Sequence, residues 1–387
     1  MLQLDGPSEA QRFYEQRYAE GYMDQWDGDR HARLREVLSE IDLPPGARVL
    51  DFGCGSGGLT SALRERWPEA EIHGADISEN AVASARTRVA NATFHVLNDG
   101  FVASYRGHFD LVFSHHVLEH VYDLERTIAD LRTLTAIGGR MHHALPCGNE
   151  GGLSHWLCSQ RRDGIDPARG GRYFFEEESH LRRLRSDQLH QHLAAHDFAL
   201  ADEVYGYHWF GVLRLLTEMP PTQWLPIVSP LRCRARSLPA VSALALLVAV
   251  VALLRAPTQV LVRARRRLHQ VTRLKTRRLM QAGTLMLVAL SLPAMLLVPV
   301  SLPCELVVRY RDEREWRRRR RARGGSEMFL TFRCVKTPVE ESPGNSPGSE
   351  AGRECAALPP QRGCTAAPHP AMPLPAITAV EARPAPR

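Results

Sequence analysis

The stretch Val49-Leu50-Asp51-Phe52-Gly53-Cys54-Gly55-Ser56-Gly57-Gly58 joins a buried-strand pattern, an acid near the strand end and a run of glycines. Glycines at this density clear side chains from the turn, so a ligand can approach backbone N–H groups and the positive end of the following helix. The chemistry implied is cofactor binding. Gly53-x-Gly55-x-x-Gly58 alone satisfies the dinucleotide fingerprint, with Asp76 near the distance at which an acid holds a ribose. A second group, His116-x-x-Glu119-His120, would place two imidazoles and a carboxylate on one helical face. Zinc peptidases use the same H-x-x-E-H spacing. Here the group follows a strand and the sequence offers no assignable further ligand, so no metal is assigned to it.

The elements that position these residues can be read from period and punctuation. Leu34, Val37, Leu38 and Ile41 recur at helical spacing and stop at Pro44-Pro45-Gly46. Strands are predicted at 47–52, 71–76, 93–97, 109–114 and 140–145, with helices over about 58–67, 78–90 and 124–134 between them. Residues 147–180 read as a long irregular excursion, 184–196 as a helix and 199–209 as a sixth strand. A short strand-like stretch, Met328–Arg333, comes late. Alternating strands and helices predict an α/β fold with a doubly wound, mostly parallel sheet, whose ligands sit at the carboxyl ends of the strands.

Charge is divided unevenly along the 387 residues. Between Arg232 and Arg323 there are 21 Lys and Arg against four acids, which gives +17 within a chain whose net charge is +6 and leaves the remainder at −11. The basic segment also holds the long apolar runs Pro239–Leu254 and Thr284–Cys304. That combination points to an anionic membrane surface, and base-reading motifs are absent, so no nucleic-acid partner is expected. The eight cysteines form no C-x-x-C pair and read as reduced thiols, and the N-terminal residues carry no signal-peptide pattern.

Asp51 two residues before the first glycine, the run Phe109-Asp110-Leu111-Val112-Phe113-Ser114-His115-His116-Val117-Leu118-Glu119-His120-Val121 and the late strand pair resemble class I S-adenosylmethionine-dependent methyltransferases. The likeness is to the small-molecule and quinone-type group, with the last strand antiparallel. It implies S-adenosylmethionine as cofactor. Asp51, Gly53, Gly55 and Gly57 match positions that line its methionine moiety, Asp76 the ribose carboxylate, and Asn98 and Asp99 the adenine contact. Ser114 and His115 match the methyl end. In quinone-type relatives a Glu-x-x-Glu-His group can hold a divalent ion, and here His116 replaces the first glutamate. Candidate bases are His115, His116, His142, His143 and His180; His180, His143 and His116 are taken as the catalytic set.

The resemblance also implies that the last two strands pair at the sheet edge, so an insert of unusual length separates them. Five segments are expected: an aromatic entry over 1–30, a methyltransferase core over 31–210, a membrane-associated helical insert over 211–326, an edge strand over 327–335 and a disordered Pro-rich tail over 336–387. If the last strand joins the sheet, the insert must leave and return on one side of a membrane. Pro239–Leu254 spans roughly 24 Å as a helix, short of a hydrocarbon core of roughly 30 Å. Pro293, Pro299 and Pro303 break the second run, and nine Lys and Arg lie between Arg255 and Arg278. Interfacial or re-entrant helices are therefore expected rather than a spanning pair, on the cytoplasmic face. The function expected is methyl transfer, chiefly to oxygen, on a lipid-phase or lipid-linked small molecule. A non-catalytic membrane scaffold that binds the cofactor is the alternative, and a dehydrogenase the third.

Overall fold

The computed structural model describes residues 7–20, 32–273 and 278–335, so the tail beyond 335 and the aromatic residues Tyr22 and Trp26 lie outside the described residues. In chain order the strands are β1 (Arg48–Phe52), β2 (Glu71–Asp76), β3 (Thr93–Val96), β4 (Phe109–His115), β5 (Thr135–Pro146), β6 (Ile165–Asp166), β7 (Arg172–Tyr173), β8 (Phe198–Gly206) and β9 (Glu327–Cys334). Seven of them form one sheet in the order β3-β2-β1-β4-β5-β9-β8, and β6 and β7 make a separate small pair. The strands from β3 to β5 are parallel, while β9 runs antiparallel to both β5 and β8. The α/β, mostly parallel sheet with an antiparallel last strand is the one expected. Its order reverses at β1 and β4, which opens a crevice at their carboxyl ends.

Helices α1 (Pro7–Ala19), α2 (Ala32–Ser39), α3 (Gly58–Arg66), α4 (Glu79–Arg88), α5 (Asp99–Ser104), α6 (Leu124–Leu134), α7 (Gly152–Ser159) and α8 (Ser186–Ala194) accompany the sheet. Alternation along each strand sends side chains to two cores. Leu50, Phe52, Leu330 and Phe332 pack with Leu131 and Leu189 on one face, and Val49, Leu111, Phe113 and Phe329 pack with Val37 and Leu63 on the other. Helix starts are fixed by side chains that accept from exposed N–H groups: Ser78 from Ala81, Asn98 from Phe101 and Asp123 from Arg126.

Between β8 and β9 the chain forms α9 (Phe210–Glu218), α10 (Pro221–Val228), α11 (Leu238–Arg273) and α12 (Arg278–Arg319). The last two make a long antiparallel hairpin. Pro257 lies within α11, and Pro293, Pro299 and Pro303 do not break α12, where the sequence led to the expectation that they would. The three prolines of α12 are exposed, so the carbonyls they leave without an N–H partner lie on the outer side of the helix. The end of α12 returns as part of the domain: Trp316 packs on Phe329 at 6.4 Å between ring centroids, and its Nε1 donates to Glu36 at 2.7 Å. Because Phe332 is fully buried in β9, Phe332→Ala should destabilise the protein by about 3–5 kcal/mol in chemical denaturation. Ile137→Ala, at a residue 72% exposed, should stay within about 0.5 kcal/mol.

Candidate active site

After β1 the chain turns through Gly53, Gly55 and Gly57, with φ of 77°, 51° and 79°. This left-handed backbone excludes most side chains, and so does the space around it. A Cβ on Gly53 would strike Val117, and one on Gly55 would lie 2.7 Å from Tyr18 Oη. Gly53 and Cys54 donate N–H bonds to the Ala75 carbonyl at 2.8 and 3.1 Å, which holds the turn against the end of β2.

Asp76 closes β2 beneath this turn. Its Oδ2 accepts from Gly55 N at 2.9 Å and its Oδ1 from Ser78 N at 3.0 Å. Each carboxylate oxygen keeps a further lone pair, so the group can still take two hydroxyls. Asp51 accepts from Thr60 Oγ1 at 2.6 Å. Burial raises Asp51 to about 7 against the Thr60 bond, and raises Asp76 to about 6 against the bonds from Ser78 and Gly55. Two buried carboxyls held above their usual range suit a ligand that brings an ammonium to one and hydroxyls to the other, which is what S-adenosylmethionine carries. At the end of β3, Leu97 N donates to the Asp76 carbonyl at 2.8 Å. Asn98 Oδ1 caps α5, and the exposed Asp99 pairs with Arg126 at 2.9 Å.

The candidate bases separate into two sets. Ser114 Oγ and His143 Nδ1 lie 2.7 Å apart, both buried, and His142 Nδ1 meets Thr331 Oγ1 at 2.9 Å. Burial pushes both imidazoles down to about 3. β5 runs from Thr135 to Pro146, so His142 and His143 stand inside the sheet. His143 therefore lies in the core, apart from the second set.

That second set gathers at the end of β4. His116, with φ of 53°, points Nδ1 at Glu119 Oε1 at 2.9 Å and Nε2 at Glu327 Oε1 at 3.5 Å. Burial opposes its charge, but the two carboxylates outweigh it and raise His116 to about 10. Glu119, buried, and Glu327, half-buried, are held down at about 2 by the same contacts. His116 is thus an imidazolium between two carboxylates and has no lone pair with which to take a proton. His115 Nε2 lies 3.6 Å from Glu327 Oε1, and its own pKa is lowered by burial. One donor atom from each of His115, His116 and Glu327, and likewise from Glu119, His120 and His180, comes within 4.8 Å of the other two. An ion could join the first triad only if His116 gave up its proton.

His120 and His180 pack edge to face at 4.6 Å between centroids, and His180 Nδ1 lies 3.5 Å from Glu176 Oε1. His120 Nδ1 is 3.0 Å from the Ser179 carbonyl. A carbonyl only accepts, so Nδ1 carries the proton and Nε2 the lone pair. Burial lowers the pKa of His120 and so favours that neutral form. Glu327 was not among the residues read as functional, because an acid opening an edge strand has no sequence signal. His120 and Glu119 were visible only as a spacing. Helix α1 covers the glycine turn and the second set: Tyr18 lies over Gly55, Tyr14 packs against His120 at 6.0 Å, Glu15 accepts from Asn80 N at 3.0 Å, and Arg17 pairs with Glu177 at 3.1 Å.

Residues 23–203 match the family model described as "Methyltransferase domain". The chain is 34% identical over 125 residues to a trans-aconitate 2-methyltransferase of Variovorax paradoxus (32% of this chain, 48% of that protein). It is 30% identical over 148 residues to one of Deinococcus radiodurans (38% and 56%). The chain thus spans about half the length of the curated relatives it matches. A solved S-adenosylmethionine dependent methyltransferase from Mesorhizobium loti covers 45% of this chain and 83% of its own, at 18% identity and a TM-score of 0.32.

Asp76→Ala should weaken S-adenosylmethionine binding by about 1–3 kcal/mol in calorimetry; an unchanged affinity would remove its ribose role. The imidazole of His116 should stay protonated at pH 8 by NMR, and Glu327→Gln should lower its pKa. The stability supplied by this triad follows from the signs of the shifts. The glutamates contribute fully above the usual 4.5 and lose their contribution as pH falls toward about 2; His116 contributes fully below 6.5 and loses it as pH rises through about 10.

The glycine cradle and the sheet that carries it have the Rossmann-like arrangement expected of a methyltransferase, residues 23–203 match the methyltransferase domain, and the returning strand β9 closes the sheet.

Proposed function

We propose that the protein transfers a methyl group from S-adenosylmethionine to a hydroxyl of a lipid-phase or lipid-linked small molecule, at the cytoplasmic face of a membrane. S-adenosylmethionine supplies an electrophilic methyl on a sulfonium, open to in-line displacement, so orientation carries most of the rate. As the acceptor oxygen bonds to the methyl carbon, its proton needs a base. Of the histidines at the end of β4, His120 is the one whose tautomer is set for this: Nδ1–H is held by the Ser179 carbonyl and Nε2 is left to accept. His180 packs on its ring and positions it. His116 holds charge between Glu119 and Glu327.

The lipid part of the reading rests on one observation, the exposed apolar stripes of the hairpin. Leu246, Leu247, Val250, Leu253 and Leu254 of α11 are exposed, and so are Leu296, Val300, Val307 and Tyr310 of α12. Both helices are long and apolar enough to cross a membrane by length and composition. Their register favours lying in the interface instead. Arg255 Nε meets Glu305 Oε2 at 2.7 Å, and Thr258 meets Ser301, which sets the two helices antiparallel about these pairs. The apolar start of α11 then lies beside the part of α12 that carries Arg309, Arg311 and Arg314, and the apolar part of α12 lies beside Arg263 and Arg265. Neither level is apolar on both helices, and a buried ion pair sits between them.

Trans-aconitate, the acceptor named for the curated relatives, provides the second reading, a small polycarboxylate. Incubation with methyl-labelled S-adenosylmethionine and cell extract separates the two. Label in the organic phase supports the lipid acceptor; label only in water-soluble acid overturns it. His120→Ala should cut turnover by about 10²–10⁴-fold while leaving cofactor affinity unchanged. Because His120 must be neutral and burial lowers its pKa from 6.5, turnover should hold below pH 6.5 and fall only as pH drops through the lowered value. The full chain should float with anionic vesicles, and a variant lacking 236–323 behind a short linker should not.

A further inference from the structure

A second group of imidazoles stands near the amino ends of the strands, away from the cofactor turn. Glu71 and His73 are two residues apart in β2 and share a face. β2 pairs with β3 so that Ala75 faces His95, which places His95 diagonally beside His73. His108 joins from the turn before β4. His73 Nε2 lies 2.7 Å from Glu71 Oε1, and its Nδ1 lies 3.0 Å from His95 Nε2. The rings of Tyr105 and Phe109 stand edge-on to His73, each at 5.4 Å, and fix its plane in a buried position. His108 Nε2 is buried and has no hydrogen-bond partner among the described residues. One donor atom from each of Glu71, His73 and His108 lies within 4.8 Å of the other two.

Two imidazoles and one carboxylate, with the carboxylate at the surface, form a donor set that leaves a fourth position open to water. Imidazole favours zinc, copper and nickel over magnesium or calcium. A ligating histidine usually has its other ring nitrogen held by a polar partner, and His95 occupies that place behind His73. We propose that Glu71, His73 and His108 bind a divalent transition-metal ion of the zinc type, with His95 orienting His73. The ion ties β2 to the turn that leads into β4. It has no part in methyl transfer. The competing arrangement is a metal-free hydrogen-bonded chain from Glu71 through His73 to His95, with His108 a bystander.

The histidines around His116 and His120 also offer donors, so the test uses the full chain carrying Glu327→Gln and His120→Ala, which removes one donor from each of those triads. After chelator treatment this protein is titrated with Co2+ alone, followed by visible absorption, and separately with Zn2+, followed by thermal unfolding. One bound equivalent is expected, with a rise in Tm. Adding His108→Ala or Glu71→Gln should weaken binding at least about tenfold and remove the rise, and His95→Ala should weaken it by about 10–100-fold. Far-ultraviolet circular dichroism checks that each variant is folded, and His108→Ala and Glu71→Gln, at positions that are not fully buried, serve in place of any variant that is not. Failure of the parent to bind Co2+, or equal affinity in the His108→Ala and Glu71→Gln variants, would overturn the proposal.

Discussion

Strand β9 lies hydrogen-bonded between β5 and β8, and this antiparallel insertion constrains the rest of the molecule. A chain that has finished β8 must leave the sheet and come back to fill the gap beside it. The returning strand opens on Glu327, which meets His115 and His116, so the last element to join the sheet also completes the charged group at the end of β4. Trp316 and Arg320, at and just beyond the end of α12, bind back to Glu36, which fastens the returning chain to α2 before β9 begins. The hairpin is therefore attached at both ends to the domain that holds the cofactor turn.

Electrostatics in the cleft divides into two regimes set by burial. Around Asp51 and Asp76 desolvation dominates and the carboxyls are held high, so they gain most from a ligand with donors. Around His116 the opposite charges are close enough to override desolvation, and the group is closed on itself. The first regime binds; the second holds its geometry across a wide range of pH. His120 stands next to the second, its Nδ1 engaged by the neutral Ser179 carbonyl and its Nε2 4.0 Å from Glu119 Oε1.

Much of this was legible because the sheet is written in local patterns. Asp51, the three glycines and Asp76 sit at strand ends, where acid and glycine punctuate apolar runs, and the structure brings Gly55 and Asp76 into direct contact. His143 lies within the strand expected over 140–145, but its enclosure depends on β9, which comes from far along the chain. Pairing with β9 carries β5 through to Pro146 and encloses both histidines. The continuity of α12 was equally hidden, since proline tolerance depends on which side of a helix meets a neighbour. Glu327 could not be found from the sequence, because its partners lie about 210 residues away and meet it only through the sheet.

Helix α1 adds a consequence of its own. Tyr14 and Tyr18 are one turn apart, the first against His120 and the second over Gly55, and the helix is pinned at Asn80 on one side and Glu177 on the other. A rigid-body displacement of that helix uncovers the glycine turn and the imidazole together. On the proposed reading, the cofactor over the turn and the acceptor beside the imidazole therefore lie under the same helix.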